Sequence, residues 1–312
     1  MIKRTAAALT VLAVALGLVF YAQVRDGYEL PAISADVSVQ QLHVNFADEI
    51  AAVKQAANPE AAARFSGEAE SITKDNAPVA YAYALSLTDH PDKQIGYLQA
   101  AVKADPDNMV YSNALRLKMG QANQTEALIA WLERQVPQTR EIRLQKALAY
   151  VDMLQQKNVG TATLGKRSAL SIRELDLILQ TEPYDWTAHY ARGLNNLYWP
   201  IGLERIDSAI QDLGFCVAAY ELADNKTFAF WPLAYEAYGD ALVKKGEASA
   251  GYAVWQDGYR KFPDSAELKK RVEAGEEGAI ELVTAERGMD SFMRPKPELT
   301  DLSMIWEQSL GR

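Results

Sequence analysis

The chain has 312 residues, 49% hydrophobic and 23% charged, with 18 glycines and 12 prolines; this is the composition of a globular protein with a sizeable core, not of a disordered or collagen-like chain. A formal net charge of −9 argues against a nucleic-acid binder, because phosphate contact needs a basic face. One cysteine excludes an intrachain disulfide, a CxxC pair and a multi-cysteine zinc site, and three histidines leave little for a histidine-rich metal site.

Lys3 and Arg4 precede an uncharged, mostly apolar run from Thr5 to Ala22. At about 1.5 Å per residue the run spans about 27 Å, close to the roughly 30 Å hydrocarbon core of a bilayer. A cationic head before an apolar run is the form of a secretion signal or a signal anchor. A cut after Ala22 would put Phe20 where cleavage needs a small residue, and Phe20 and Tyr21 suit a membrane–water interface, so an uncleaved anchor is favoured over a cleaved signal or a buried helix. The expectation is a transmembrane signal anchor in residues 1–27, inserted in a bacterial inner membrane through residues 5–22. Lys3 and Arg4 stay cytoplasmic and the bulk of the chain is periplasmic. A lone cysteine suits that oxidising compartment.

Residues 28–69 are expected to hold a linker and an N-terminal helix. From Phe46, Ala-rich amphipathic stretches of about 10–14 residues alternate with short polar breaks, and strand signals are nearly absent. Asp105-Pro106, Val136-Pro137, Glu182-Pro183 and Phe262-Pro263 each close an apolar stretch, because proline cannot continue a helix and pushes the preceding residue out of the helical region. The prolines lie 31, 46 and 80 residues apart, the last about two units of roughly 40, and periods of roughly 20–50 residues are those of helical repeats. The pattern predicts an all-α chain of antiparallel helix pairs. Ala77–Leu87 pairs with Lys93–Ala104, and Tyr111–Met119 with Gln124–Arg134. Glu141–Gln156 pairs with Ser168–Gln180 across a long connection, Lys157 to Lys166, and Trp186–Tyr198 pairs with Leu203–Leu222. Glu273–Arg287 reads as a polar capping helix. Thr300–Leu310, with Thr300 as N-cap, reads as a short tail helix that docks on the repeats or serves another protein as a ligand.

The run Tyr235, Tyr238-Gly239, Leu242, Gly246, Gly251, Trp255, Gly258, Pro263 resembles the tetratricopeptide repeat (TPR), a unit of about 34 residues. The interval from Gly239 to Pro263 is the family's. Trp255 takes the large position of the second helix, and Gly251 and Gly258 take small positions. Tyr238 stands where the family has leucine, and Leu242 where it has tyrosine. The resemblance implies a TPR-like right-handed superhelix of antiparallel helix pairs over residues 70–272, with a capping helix and tail helix in 273–312. It also implies that the first helix of each pair lines a concave binding groove. Carried over, the groove positions are Tyr190, Leu194 and Tyr198 in the fourth unit, and Glu236, Asp240 and Lys244 in the last.

Catalytic signals are missing. Cys216 lies in an apolar stretch that leaves a thiol inert. His43, His90 and His189 share no metal-ligand spacing, and there is no glycine-rich phosphate loop or Gly-x-Ser-x-Gly elbow. No enzyme activity, catalytic residue, cofactor or metal is expected. The stretch Tyr184–Tyr238 is rich in aromatics, which serve as core or as a binding wall. The expected function is a membrane-anchored protein–protein interaction scaffold or assembly factor for an envelope complex, with membrane or envelope proteins as partners and no nucleic acid. Two alternatives stand beside it. One is a structural subunit of a larger membrane complex. The other is a small-ligand or peptide binder using residues 184–238, whose mark would be a deep cavity holding Arg192 and Asn195.

Overall fold

A proline that ends one helix also prepares the next. In the computed structural model Asp105, Glu182 and Phe262, each just before a proline, share one backbone conformation, with φ/ψ of −142/77, −123/71 and −129/68. Each donates its N–H to the carbonyl four residues back, on Ala101, Ile178 and Gly258, and so closes its helix. Two residues beyond each proline stands an N-cap. Asn108 accepts from the N–H groups of Val110 and Tyr111, Thr139 from Ile142, Asp185 from Ala188 and Ser265 from Leu268. The sequence x-Pro-x-(Asn/Thr/Asp/Ser) therefore stops one helix and starts the next within a single turn.

The described residues are 27–303, without 35, 46–50, 52–53, 55–58, 66, 224–225, 227 and 297–299. The expected anchor and most of the expected tail helix lie outside them. Among the described residues all regular structure is helical, and no helix is long and apolar enough to cross a membrane. The α-helices are α1 (Pro59–Arg64), α2 (Ala77–Ser86), α3 (Pro91–Ala104), α4 (Met109–Gln121), α5 (Thr125–Glu133), α6 (Arg140–Asp152), α7 (Thr161–Thr181), α8 (Trp186–Leu197), α9 (Ile206–Tyr220), α10 (Trp231–Lys245), α11 (Ala248–Lys261) and α12 (Ala266–Arg287). Short 3-10 turns occupy Val39–Leu42, Ala69–Ser71, Met153–Gln155 and Ile201–Leu203.

The chain divides into two compact units. The first holds residues 37–195, 223–230 and 294–312. In it α2 packs on α3, α3 on α4, α4 on α5, α5 on α6 and α6 on α7, while α4 also touches α6. Contact between neighbours and next-but-one neighbours is the pattern of stacked helix pairs, in which each pair supplies the apolar cover its neighbour lacks. The turns stack as well: the Thr139 hydroxyl donates to the Pro106 carbonyl at 3.2 Å, and Arg140 donates to the Asp185 carboxylate.

The second unit holds residues up to 36, 196–222 and 231–293. Here α9 packs on α10, α10 on α11, α11 on α12, and α10 also touches α12. The segment expected as a linker is docked. Tyr28 is buried and donates to Asp257 at 2.7 Å, and Tyr238 donates to the Glu29 carbonyl at 2.6 Å. Two boundaries depart from expectation. Helix α7 begins at Thr161, which shortens the connection placed at 157–166. Helix α12 begins at Ala266, because Ser265 caps it, and it is kinked at Gly275, whose φ/ψ of 69/177 is not helical and divides it into two helical segments.

The three glycines at TPR-like positions explain how α10 and α11 pack. A Cβ on Gly239 would lie 2.3 Å from the Trp255 ring, one on Gly251 2.6 Å from the Gly239 carbonyl, and one on Gly258 2.7 Å from Tyr235 Cβ. Backbone thus meets backbone, and Trp255 fits with no exposed surface. Gly251→Ala should cost about 1–3 kcal/mol through overpacking. Gly165→Ala in α7, with nothing within 4 Å of the added carbon, should stabilise by about 0.5–1 kcal/mol. Chemical denaturation midpoints of the two variants check both signs.

Candidate functional site

Glu236, Asp240 and Lys244 recur every fourth residue along α10 and so share a face. That face is buried, and what covers it is α12 of the same unit. Arg271 places Nε and Nη2 on the two oxygens of Asp240, both at 2.8 Å, and Arg287 adds Nε at 2.8 Å. Arg287 also bonds the Tyr198 hydroxyl, and its guanidinium lies 5.2 Å from the centre of that ring. Ser265, the α12 cap, donates to Glu236 at 3.1 Å. Lys244 donates to the carbonyls of Leu197 at 2.8 Å and Arg287 at 3.3 Å. Four of the six groove residues carried over from the resemblance, Tyr198, Glu236, Asp240 and Lys244, thus meet the chain's own capping helix rather than an open groove.

Burial sets their ionisation. Burial works against the charge of Asp240, but Arg271 and Arg287 outweigh it and hold the carboxyl below its usual range. Burial raises Glu236 from 4.5 to about 7, and Asp240 adds to the rise while the arginines oppose it. Burial, with Arg287 beside it, lowers Lys244 to about 8.

In the first unit Tyr190 is half-buried and stacks on Trp186 at 5.0 Å, and Trp186 packs on Phe230 at 4.6 Å; Leu194 is buried. Arg192 pairs with Asp176 at 2.6 Å, and Asn195 accepts from Ser168 at 2.6 Å. Most aromatics of the 184–238 stretch are core, including Trp186, Tyr198, Trp199, Phe230, Trp231, Tyr235 and Tyr238. Among the described residues no group of three or more His, Cys, Asp or Glu side chains is placed to hold a metal ion.

An open cleft of about 980 Å³ lies elsewhere in the first unit, along α4, the α4–α5 turn, the end of α6 and residues 300–301. Its position follows from the helix ends. Asn123 after α4 and Gly246 after α10 both have positive φ, 57° and 102°. The hydrogen bonds around them match: Asn123 to Gly120 and Gln124 to Met119, Gly246 to Val243 and Glu247 to Leu242. With these turns superposed in sequence, Asn113, Leu117 and Gln121 correspond to Glu236, Asp240 and Lys244. Leu117 and Gln121 line the cleft. The face that α12 closes on α10 is met on α4 by residues 301–302 at Asn113 and borders the cleft at Leu117 and Gln121.

The cleft wall is rich in carboxamides, from Gln121, Asn123, Gln124, Gln155 and Gln156. The buried Nε2 of Gln155 has no hydrogen-bond partner among the described residues. A carboxamide carries both a donor and an acceptor and so matches a peptide group. At one end the cleft already holds a short segment of the chain's own tail. Arg116, whose side chain has no exposed surface, donates to Asp152 at 2.6 Å, to Gln145 at 2.8 Å, and to the Thr300 carbonyl. The Thr300 hydroxyl donates to Asp152 at 2.6 Å. Asn113 donates to the Asp301 carboxylate at 3.2 Å and accepts from the Leu302 N–H at 3.3 Å. Sequence reasoning missed Asn113, Arg116, Gln145 and Asp152. The available signal was Asn123, a residue that tolerates the left-handed conformation glycine takes at 246.

No protein-family model matches the chain, and no curated protein matches it. Among solved structures, a thermophilic TPR protein from Thermus thermophilus is similar to this chain at 16% identity and a TM-score of 0.45, over 64% of this chain and 97% of that one.

Asp240→Asn should destabilise the second unit by about 3–5 kcal/mol, because two buried arginines lose their counter-charge. Glu236 tests the other sign. Its folded pKa is raised, so its contribution is complete below pH 4.5 and is lost as pH rises to about 7. Glu236→Gln should flatten the stability curve over that window, as read from denaturation midpoints across it.

Proposed function

We propose that this chain is a TPR-like, non-enzymatic interaction protein that holds a peptide segment of a partner protein in the α4–α6 cleft. The observation that carries this reading is the way residues 300–302 are held: Arg116 and Asn113 of α4 bind main-chain groups of a short segment and Asp152 of α6 accepts from its Thr300 hydroxyl, beside a cleft lined with carboxamides. The close glycine contacts of α10 and α11 support the TPR-like build. Arg192, which a small-ligand pocket in the aromatic stretch would need, pairs with Asp176.

The proposal includes the anchor and the exported location read from residues 1–27, and with them a role as scaffold or assembly factor for an envelope complex. Tyr28 is fixed on Asp257 of the second unit. From the end of the apolar run at Ala22 the chain can reach at most about 20 Å to Tyr28. An anchored chain therefore holds that unit close to the bilayer surface.

Purification of the tagged full-length protein in mild detergent, with mass spectrometry of what accompanies it, tests the reading. The expected result is a small stoichiometric set of membrane or envelope proteins. Recovery of the protein alone would overturn the scaffold reading and favour ligand binding. Protease added outside the inner membrane should digest the chain beyond residue 27; protection of the whole chain would overturn the exported orientation.

A further inference from the structure

We propose that residues 300–302 are a displaceable self-ligand, whose place is taken by a partner segment carrying a hydroxyl residue, an acid and a leucine-sized apolar residue in succession. The inference rests on the interaction reading above and adds to it what the partner presents and what it must first remove.

The segment is held by groups that are specific and exchangeable. Arg116 takes the Thr300 carbonyl, Asp152 the Thr300 hydroxyl, the Asn113 amide nitrogen the Asp301 carboxylate, and the Asn113 amide oxygen the Leu302 N–H. Leu302 is buried. Each of these bonds joins a helix side chain to the segment, so another chain of like chemistry can replace every bond singly. Any peptide offers Arg116 a main-chain carbonyl, but a chain of unlike side chains leaves Asp152 without the hydroxyl and the Asn113 amide nitrogen without the carboxylate.

The same contacts keep the hold modest. The charge of Arg116 is balanced within the helices by Asp152, and Asp301 meets an amide. Among the described residues no ion pair joins Asp301 to α4 or α6, so exchange separates no buried opposite charges. The cleft continues past Thr300 and Asp301 along Gln121, Asn123 and Gln124. A longer partner segment reaches these carboxamides and gains contacts that residues 300–302 do not make there. Residues 300–302 thus set a threshold: a partner binds only in proportion to the fraction of chains whose site is open.

The test uses a fluorescent synthetic peptide, Pro-Glu-Leu-Thr-Asp-Leu-Ser-Met, the sequence of residues 297–304, and the full chain in detergent. Its anisotropy is followed against the unaltered chain and against the chain carrying Asp301→Lys with Leu302→Ala. The peptide should bind the double variant about tenfold or more tighter than the unaltered chain, because the open fraction rises. The peptide with lysine in place of its aspartate should lose that gain, a control that leaves the protein untouched. Absence of binding to the double variant, equal binding to both chains, or indifference to the lysine peptide would each overturn the inference. Should the double variant melt lower, excess peptide should restore its melting temperature, and failure to do so would also overturn it. Stoichiometric partners in the purification together with no peptide binding would overturn this inference alone; a protein recovered without partners would overturn the reading beneath it.

Discussion

A helix pair in a stack leaves an apolar face that only a neighbour can cover, and the described helices answer that constraint at each level. Every pair needs a neighbour, so helices must come close and turns must be short. Closeness comes from glycine, where a side chain would drive backbone from backbone, as between Gly239 and Gly251. Shortness comes from the proline turns, in which closure of one helix and the cap of the next share a few residues. Asn108, Thr139, Asp185 and Ser265 satisfy first-turn N–H groups that would otherwise be orphaned inside a stack.

A stack must also end, and its last face needs cover. In the second unit α12 supplies it, and the cover is polar as well as apolar. Leu268, Ala279 and Val283 are buried along α12, and Arg271 and Arg287 reach Asp240 between them. Glu236, Asp240 and Lys244, carried over from the resemblance as groove positions, form one face of α10 that α12 covers. Their charges are matched by the chain itself, which is why acids and a lysine tolerate burial there.

How far this could be read from sequence depends on the range of each signal. Helix ends were legible because proline acts on its immediate neighbours, and the α10–α11 packing was legible because its glycines, Trp255 and Pro263 recur at a family spacing. The start of α12 was missed by several residues: Glu-rich composition marked the polar part of the helix, whereas Ser265 marked its beginning. The docking of Tyr28 on Asp257 and of Thr300 on Asp152 joins residues far apart in sequence, and no local pattern encodes it. The cleft was missed for a different reason. Groove positions were carried only onto units with a clear motif, and in α4 asparagine stands at the turn where the clear unit has glycine.

The same helical face has two fates in this chain, and the chemistry of the cover decides between them. On α10 the cover is a long helix whose arginines neutralise a fully buried carboxylate. Opening it would break three charge-assisted hydrogen bonds at Asp240 and expose Leu268, Ala279 and Val283 at the same time. On α4 the cover among the described residues is Thr300, Asp301 and Leu302, held by single hydrogen bonds worth about 0.5–1.5 kcal/mol each, or about 1.5–3 where a charged group takes part, against groups that remain neutralised within the helices. Water or another peptide can satisfy those groups in turn. Closure by α12 is therefore part of the fold, whereas closure by residues 300–302 lies within the free energy that a peptide ligand supplies.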